Sequence, residues 1–360
     1  MIYKKNLKIL ATLDFTSFID QKKPFKIGFF GDVFCNTPEA LDSVVNDDPF
    51  YFIRGWMKTL DFTTANLETT IGKETTGFPR FSANEIFANY LKGKFDLLFT
   101  ANNHCFDYEI DGLIQTVILL DKYGIQHLGT SKPTKIKRFL DITLNGFDIT
   151  FLNYTSSVNG KQIKQGVLAQ YEPSETEAKL INFYDETSLK EAIDFSKKKS
   201  DIIIVEIHRR VEGDADEHSD RPTDQRVLDI DKIISFGADV VIGGHPHEFQ
   251  GGKLFENGKA VTYSLGNAYS DMQKNDTESG CVMVMKCDAF TNITYSFLPI
   301  ATVTTEKFGK CILPLAPLTE GAYNFIPQNL LKFYSEKLES IRNILIKSGL
   351  EEEVIPVQYL

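Results

Sequence analysis

The chain has 360 residues, 42% hydrophobic and 24% charged, which suits one large α/β domain or two medium ones and argues against a disordered or fibrous protein. Thirty-nine basic against 49 acidic residues give a net charge of −10 and a pI near 5.2, so no nucleic acid partner is expected. Five cysteines without a C-x-x-C spacing argue against a disulfide framework or a thiolate zinc site and fit a reducing compartment.

Residues 1–25 read as an N-terminal extension whose short apolar run ends at Asp14, too weak for a signal peptide. No apolar run is long enough to span a bilayer, and the expectation is a soluble, cytoplasmic protein without a membrane anchor. The spacing then predicts a buried strand at 25–31, a helix at 49–60 and a strand at 61–67. A helix at 84–93, a strand at 95–101 and a helix at 111–124 stopped by Gly124 follow. Asn145-Gly146 between two β-rich arms predicts a hairpin. Helix 189–200 leads to strand 201–207, and helix 223–238 to strand 239–244. Residues 252–300 read as β-rich with a turn at Asn257-Gly258, and a loose segment precedes an amphipathic helix near 327–348. Alternating units predict a layered α/β domain, and the hairpins make its sheets mixed.

In such sheets ligands gather at the carboxyl ends of the strands. Those ends carry Asp32, Glu68, Asn102-Asn103-His104, His208, and His245 with His247, which include four of the chain's six histidines. A set of oxygen and imidazole donors without cysteine suits Mn, Fe, Zn or Co. Six or seven such ligands exceed the need of one tetrahedral ion and point to two divalent metal ions bridged by a carboxylate, which suits hydrolysis of a phosphoester. The phosphate cradles of dinucleotide and P-loop proteins and the G-x-S-x-G elbow are missing from the sequence. A glycosidase pair such as Glu68 and Asp107 would leave the histidines unexplained.

The GD at 31–32, ANNH at 101–104, His208 and GHPH at 244–247 resemble the blocks of the calcineurin-like metallophosphoesterases. More closely, GDV (31–33), ANLE (65–68), ANNHCFDYEIDGL (101–113), the H-x-x-x-E of 208–212, GADVVIGGHPHEFQG (237–251) and YSLGN (263–267) resemble the poly-γ-glutamate capsule biosynthesis (CapA-type) family. The resemblance implies a metallophosphoesterase-like four-layer α/β/β/α sandwich with two mixed sheets over 26–300, and 301–360 as a C-terminal appendage. It implies Asp32 and His247 on a first metal, Asn103, His208 and His245 on a second, and Glu68 as the bridge, with Asp61 a weaker substitute. His104 would protonate the leaving oxygen, and Asp107 would hold its imidazole. The implied activity is a metal-activated hydroxide attacking a phosphoester or a polymer amide or ester; the alternative is a non-catalytic accessory protein in anionic polymer synthesis or export.

The chain departs from these patterns at Phe34, where a D-x-H block has histidine, at Arg209-Arg210, where a Trp-Gly pair is usual, and at Gly244 and Ala268. Arg209 and Arg210 suggest a guanidinium clamp for an anionic small molecule or polymer, although adjacent strand residues point to opposite sides and at most one would reach it. Glu212 and Asn267 complete the expected substrate-binding set, and Asn267 could instead close a turn. His127 and His218 lack such company and are expected not to be ligands, and Cys105 is expected to pack and not to attack. The sequence leaves a homo-oligomer open.

Overall fold

The structure is a computed structural model that describes residues 22–35, 37, 48–159, 161–164, 167–170, 173–211, 215–272 and 277–359. Within them, the strand Phe25–Val33 is buried except at Lys26, because both of its faces are covered. Alternate residues explain how: Ile27 and Phe29 face a second sheet, while Phe30 and Val33 face helices.

Nine strands form the first sheet. Its order is Gly309–Pro314, Ile293–Thr305, Ser279–Cys287, Phe25–Val33, Phe62–Leu67, Leu97–Phe99 and Gln126–Leu128, with Asn267–Tyr269 beside Phe25–Val33 and Glu351–Glu352 beside Ile293–Thr305. The second sheet runs Phe249–Leu254, Ala260–Leu265, Val240–Gly244, Ile202–His208, Phe147–Thr155 and Leu140–Leu144. Both are mixed. The strands starting at 25, 62 and 97 are mutually parallel, as are those starting at 147, 202 and 240, so each sheet presents one rim of carboxyl ends.

The sheets pack face to face through aromatic pairs such as Phe62 on Phe151 and Phe25 on Phe147, with ring centroids 5.4 and 5.1 Å apart. Each such side chain contributes about 1.5–3 kcal/mol on burial. Trp56, Phe87 and Leu120 cover the outer face of the first sheet; Leu189, Ile193, Ile230 and Ile233 cover that of the second. The architecture is an α/β/β/α sandwich with two mixed sheets.

Local chemistry sets the connections. The helix Glu109–Tyr123 ends at Gly124, whose φ of 70° is the left-handed cap that glycine accepts without strain. Asn145 and Gly146, both at positive φ, close the tight hairpin between Leu140–Leu144 and Phe147–Thr155.

Two expected elements differ. The helix expected at 49–60 shrinks to Arg54–Met57. The preceding backbone is recruited by an edge strand, with the Ile312 amide donating to the Pro49 carbonyl at 2.9 Å, and Phe52 is drawn onto Phe308 at 5.0 Å. The segment expected to be loose after residue 300 is also structured: Ile293–Thr305 crosses that position and Gly309–Pro314 pairs antiparallel beside it. Its threonine-rich edge hid a strand whose other residues are apolar. The amphipathic helix is Gln328–Ser348, and it packs Tyr334, Leu338, Ile341 and Leu345 into the core between the sheets. Among the described residues, no helix is long and apolar enough to cross a membrane.

Candidate metal centre

Backbone contacts between strand ends bring the site together. The Asp32 amide donates to the Gly266 carbonyl at 3.0 Å, and the Glu68 amide to the Val33 carbonyl at 3.1 Å. A Cβ at residue 31 would stand 1.9 Å from that Gly266 oxygen, so only glycine lets the two segments approach this closely. From the second sheet, the Ile202 strand ends in His208, paired in register with Gly244. His245 then adopts φ 97°, a strained conformation for a residue with a side chain, and Pro246 and His247 follow it across the rim.

These ends place six polar side chains in one buried cluster. Glu68 Oε1 lies 3.2 Å from His208 Nε2, and Glu68 Oε2 lies 3.7 Å from His247 Nδ1. Asp32 Oδ2 is 3.6 Å from His247 Nδ1, and Asn103 Oδ1 is 2.6 Å from His208 Nε2. The His208 and His245 rings meet edge to face at 5.4 Å. Among the described residues, two groups could each hold a cation: Glu68, His208 and His245, and Asp32, Glu68 and His247, with ligand atoms within 4.8 Å of one another in each. Glu68 belongs to both.

Burial governs the electrostatics. Desolvation pushes the Glu68 carboxyl up to about 7, and desolvation together with Glu68 holds Asp32 well above the carboxylate range. Burial also pushes the His208 imidazole down to about 4, and burial with the neighbouring His245 holds His247 well below its ordinary value. Both Glu68 oxygens and Asp32 Oδ2 are buried without a hydrogen-bond partner among the described residues. Neutral imidazoles beside orphaned carboxylate oxygens fit divalent cations, because such ions replace the missing hydrogen-bond donors and favour the charged carboxylates.

His104 stands beside this cluster. Its Nδ1 lies 2.6 Å from Asp107 Oδ2, which also accepts the Phe81 amide at 2.6 Å, and the ring stacks flat on Phe81 at 3.9 Å. Burial alone would depress the imidazole, but the Asp107 carboxylate outweighs it and holds His104 above its ordinary value. Asp107 thus fixes the orientation of the His104 ring, whose Nε2 lies 3.2 Å from Asn159 Nδ2.

Several other candidates sit elsewhere. Arg209 is committed to Asp229, with Nε 2.7 Å from Oδ2, and lies over the Tyr184 ring, so the fork expected to clamp substrate is engaged on the helix side. The Arg210 amide donates to Ser156 Oγ at 2.9 Å. Glu212 lies outside the described residues. Asn267 accepts at Oδ1 from His247 Nδ1 (3.0 Å) and donates to the Thr277 carbonyl, so it orients the His247 imidazole. Asp61 accepts from the Lys26 amide at the opposite end of its strand from Glu68. Phe34, fully buried, stacks on Phe81 and stands 5.5 Å from His247. Cys105 is buried, and desolvation pushes its thiol up to about 12, an unreactive value.

Sequence reasoning missed the supports. Asn66, inside the quoted ANLE block, donates to Asp32 Oδ1 at 2.8 Å and accepts from Asn102 at 3.0 Å. Asn66 Nδ2 also lies 3.2 Å from His208 Nδ1, which leaves Nε2 facing Glu68 and Asn103. Glu206, bonded to Asn153, lies below the cluster. His218, expected not to be a ligand, stacks on His247 at 5.8 Å. Arg226 is wholly buried: it grips Asp216 at 2.8 and 3.1 Å and donates to the carbonyls of Gly244 and Arg209, which adjoin His245 and His208. No spacing in the sequence joins Asp216 to Arg226 across an exposed-looking acidic loop.

Residues 26–272 match the family described as bacterial capsule synthesis protein PGA_cap. The chain is 27% identical over 238 residues to the PGA biosynthesis protein CapA of Bacillus subtilis (strain 168), covering 62% of this chain and 57% of that protein. Against the capsule biosynthesis protein CapA of Bacillus anthracis, identity is 21% over 257 residues, covering 68% and 59%. The chain thus spans less than two thirds of either relative. Among solved structures, the NAD nucleotidase of Haemophilus influenzae aligns with a TM-score of 0.46 at 14% identity, over 93% of this chain and 65% of that one. A hypothetical protein from Thermus thermophilus aligns with the same TM-score at 12% identity, over 76% and 98%. With the matched region running from the first core strand past the last rim residue, the chain belongs to the bacterial capsule synthesis PGA_cap family, within the metallophosphoesterase-like superfamily.

Proposed function

We propose that the chain is a metal-dependent hydrolase that cleaves a phosphoester, or an amide or ester of an anionic polymer, in capsule biosynthesis. The observation that supports this most directly is the trio of buried oxygens on Glu68 and Asp32 that accept no hydrogen bond among the described residues and are set among imidazole nitrogens. Asp32, Glu68 and His247 would hold one divalent ion, and Glu68, Asn103, His208 and His245 a second. Such ions would supply Lewis-acid polarisation of a phosphoryl or carbonyl oxygen and a nucleophile at neutral pH. The chain's own groups do the rest: Asn66 and Asn267 orient Asp32 and His247, Arg226 steadies the segments bearing His208 and His245, and His104, aligned by Asp107, delivers a proton to the leaving oxygen.

The test combines elemental analysis of protein purified without chelator with phosphodiester and phosphomonoester reporters in added Mn. Two ions per chain and Mn-stimulated turnover, falling roughly 100-fold or more in His104→Asn, are expected. Fewer than one ion and no turnover would overturn the reading. A second reading, an accessory protein in polymer synthesis or export, draws support from Phe34, whose ring is packed where a D-x-H histidine would stand. One tightly held ion without turnover would favour it.

A further inference from the structure

A cleft of about 380 Å³ opens between the Gln328–Ser348 helix and the edge of the first sheet, lined by Ser270, Glu278, Thr302, Lys310, Phe333 and Tyr334. Lys310 is only 7% exposed, and among the described residues no hydrogen bond or ion pair reaches its ammonium. Burial lowers its proton affinity, and the attraction of Asp271 from beyond ion-pair distance does not offset this. The other cation beside the cleft is already matched: Lys337 Nζ is 3.1 Å from Glu278 Oε1. A buried ammonium without a paired counter-ion is costly unless an anion comes to it. Ser270 is equipped to help. Its hydroxyl oxygen accepts the Met272 amide at 2.9 Å, which leaves the hydroxyl proton for a ligand.

The cleft is linked along the chain to the candidate metal centre. Ser270 is three residues beyond Asn267, and the Ser270 amide donates to Thr302 Oγ1 at 3.4 Å. Lys310 pairs with Thr304 at the end of the rim strand Ile293–Thr305. Across three strands and along the strand axis, the separation from Asp32 is on the order of 20 Å.

We propose that this cleft is an anion subsite in which Lys310 and Ser270 receive a carboxylate or phosphate group, with Phe333 and Tyr334 flanking the aliphatic part of the ligand. The subsite stands independently of hydrolysis, since none of its residues is a candidate metal ligand. A chain bearing repeated carboxylates could occupy the cleft and the metal rim together.

Calorimetric titration of the full chain in chelator, with a short glutamate oligomer and separately with inorganic phosphate, tests it without metal-bound anions. Binding of either that weakens at least tenfold in both Lys310→Met and Lys310→Gln, with unfolding midpoints no lower than wild type, is expected. Oligomer binding that phosphate cannot match identifies a carboxylate chain as the ligand; equal binding of the two identifies a lone anion, and either supports the subsite. Absence of binding by both probes, or binding unchanged in the two variants, overturns it.

Discussion

Two buried charged clusters adjoin the same strand ends, and they are built on opposite rules. Around Arg226 the charges are matched: the guanidinium reaches both Asp216 oxygens and two backbone carbonyls, and Thr223 donates its amide and hydroxyl to Asp216. Around Glu68 they are not: three carboxylate oxygens have no hydrogen-bond partner among the described residues, and the adjacent imidazoles are held neutral by burial. A complete polar network fixes one geometry, whereas an incomplete one reserves places for something the chain does not carry. The Arg226 cluster is therefore built as a brace, and the Glu68 cluster, on the function proposed above, as a receptor.

The contrast can be broken from either side. Arg226→Met leaves Asp216 charged and buried, and chemical denaturation should register a loss of about 3–5 kcal/mol. A smaller effect is expected at the receptor: divalent ion at one hundred times its dissociation constant should stabilise wild type by about 2.7 kcal/mol. Calorimetric scans of Glu68→Met should lose that increment, yet the variant in chelator should be no less stable than wild type. If chelated Glu68→Met unfolds early, Glu68 is a brace too.

Acid sharpens the comparison further. Burial opposes ionisation of Asp216, but Arg226 and Thr223 prevail and hold its carboxyl below the ordinary range. Its folded value is lower than the unfolded value of about 3.9, so its contribution is complete above that pH and fades as acid descends through the folded value. Denaturation curves between neutral pH and strong acid should show this limb in wild type and lose it in Asp216→Asn. Smallest of all is Arg209→Ala: the partly exposed pair with Asp229 is worth less than about 1 kcal/mol, and KM for an anionic substrate should not move.

How much of this could be read from residue order follows from the range of each interaction. Strands with two covered faces announce themselves by continuous apolar runs, which is why the segments starting at 25, 62, 202 and 240 were legible together with the polar residues at their ends. Gly124 and Asn145-Gly146 act within a turn and were equally plain. Asn66 was concealed because an asparagine inside a strand carries no periodic signal; its role exists only once Asp32 and Asn102 arrive from other strands. Arg209 misled for the converse reason: its place after His208 suggested the metal rim, but Asp229 on the following helix holds its side chain away.

The strand Ser279–Cys287 pairs directly with Phe25–Val33, yet it begins beyond residues 26–272, which match the family. A fragment trimmed to residues 26–272 would therefore keep every candidate metal ligand and still strip the central strand of a neighbour, baring a row of amide and carbonyl groups in the middle of an apolar sheet. Such a fragment would be a sticky, self-associating species, and the unit to express and crystallise extends through the C-terminal helix.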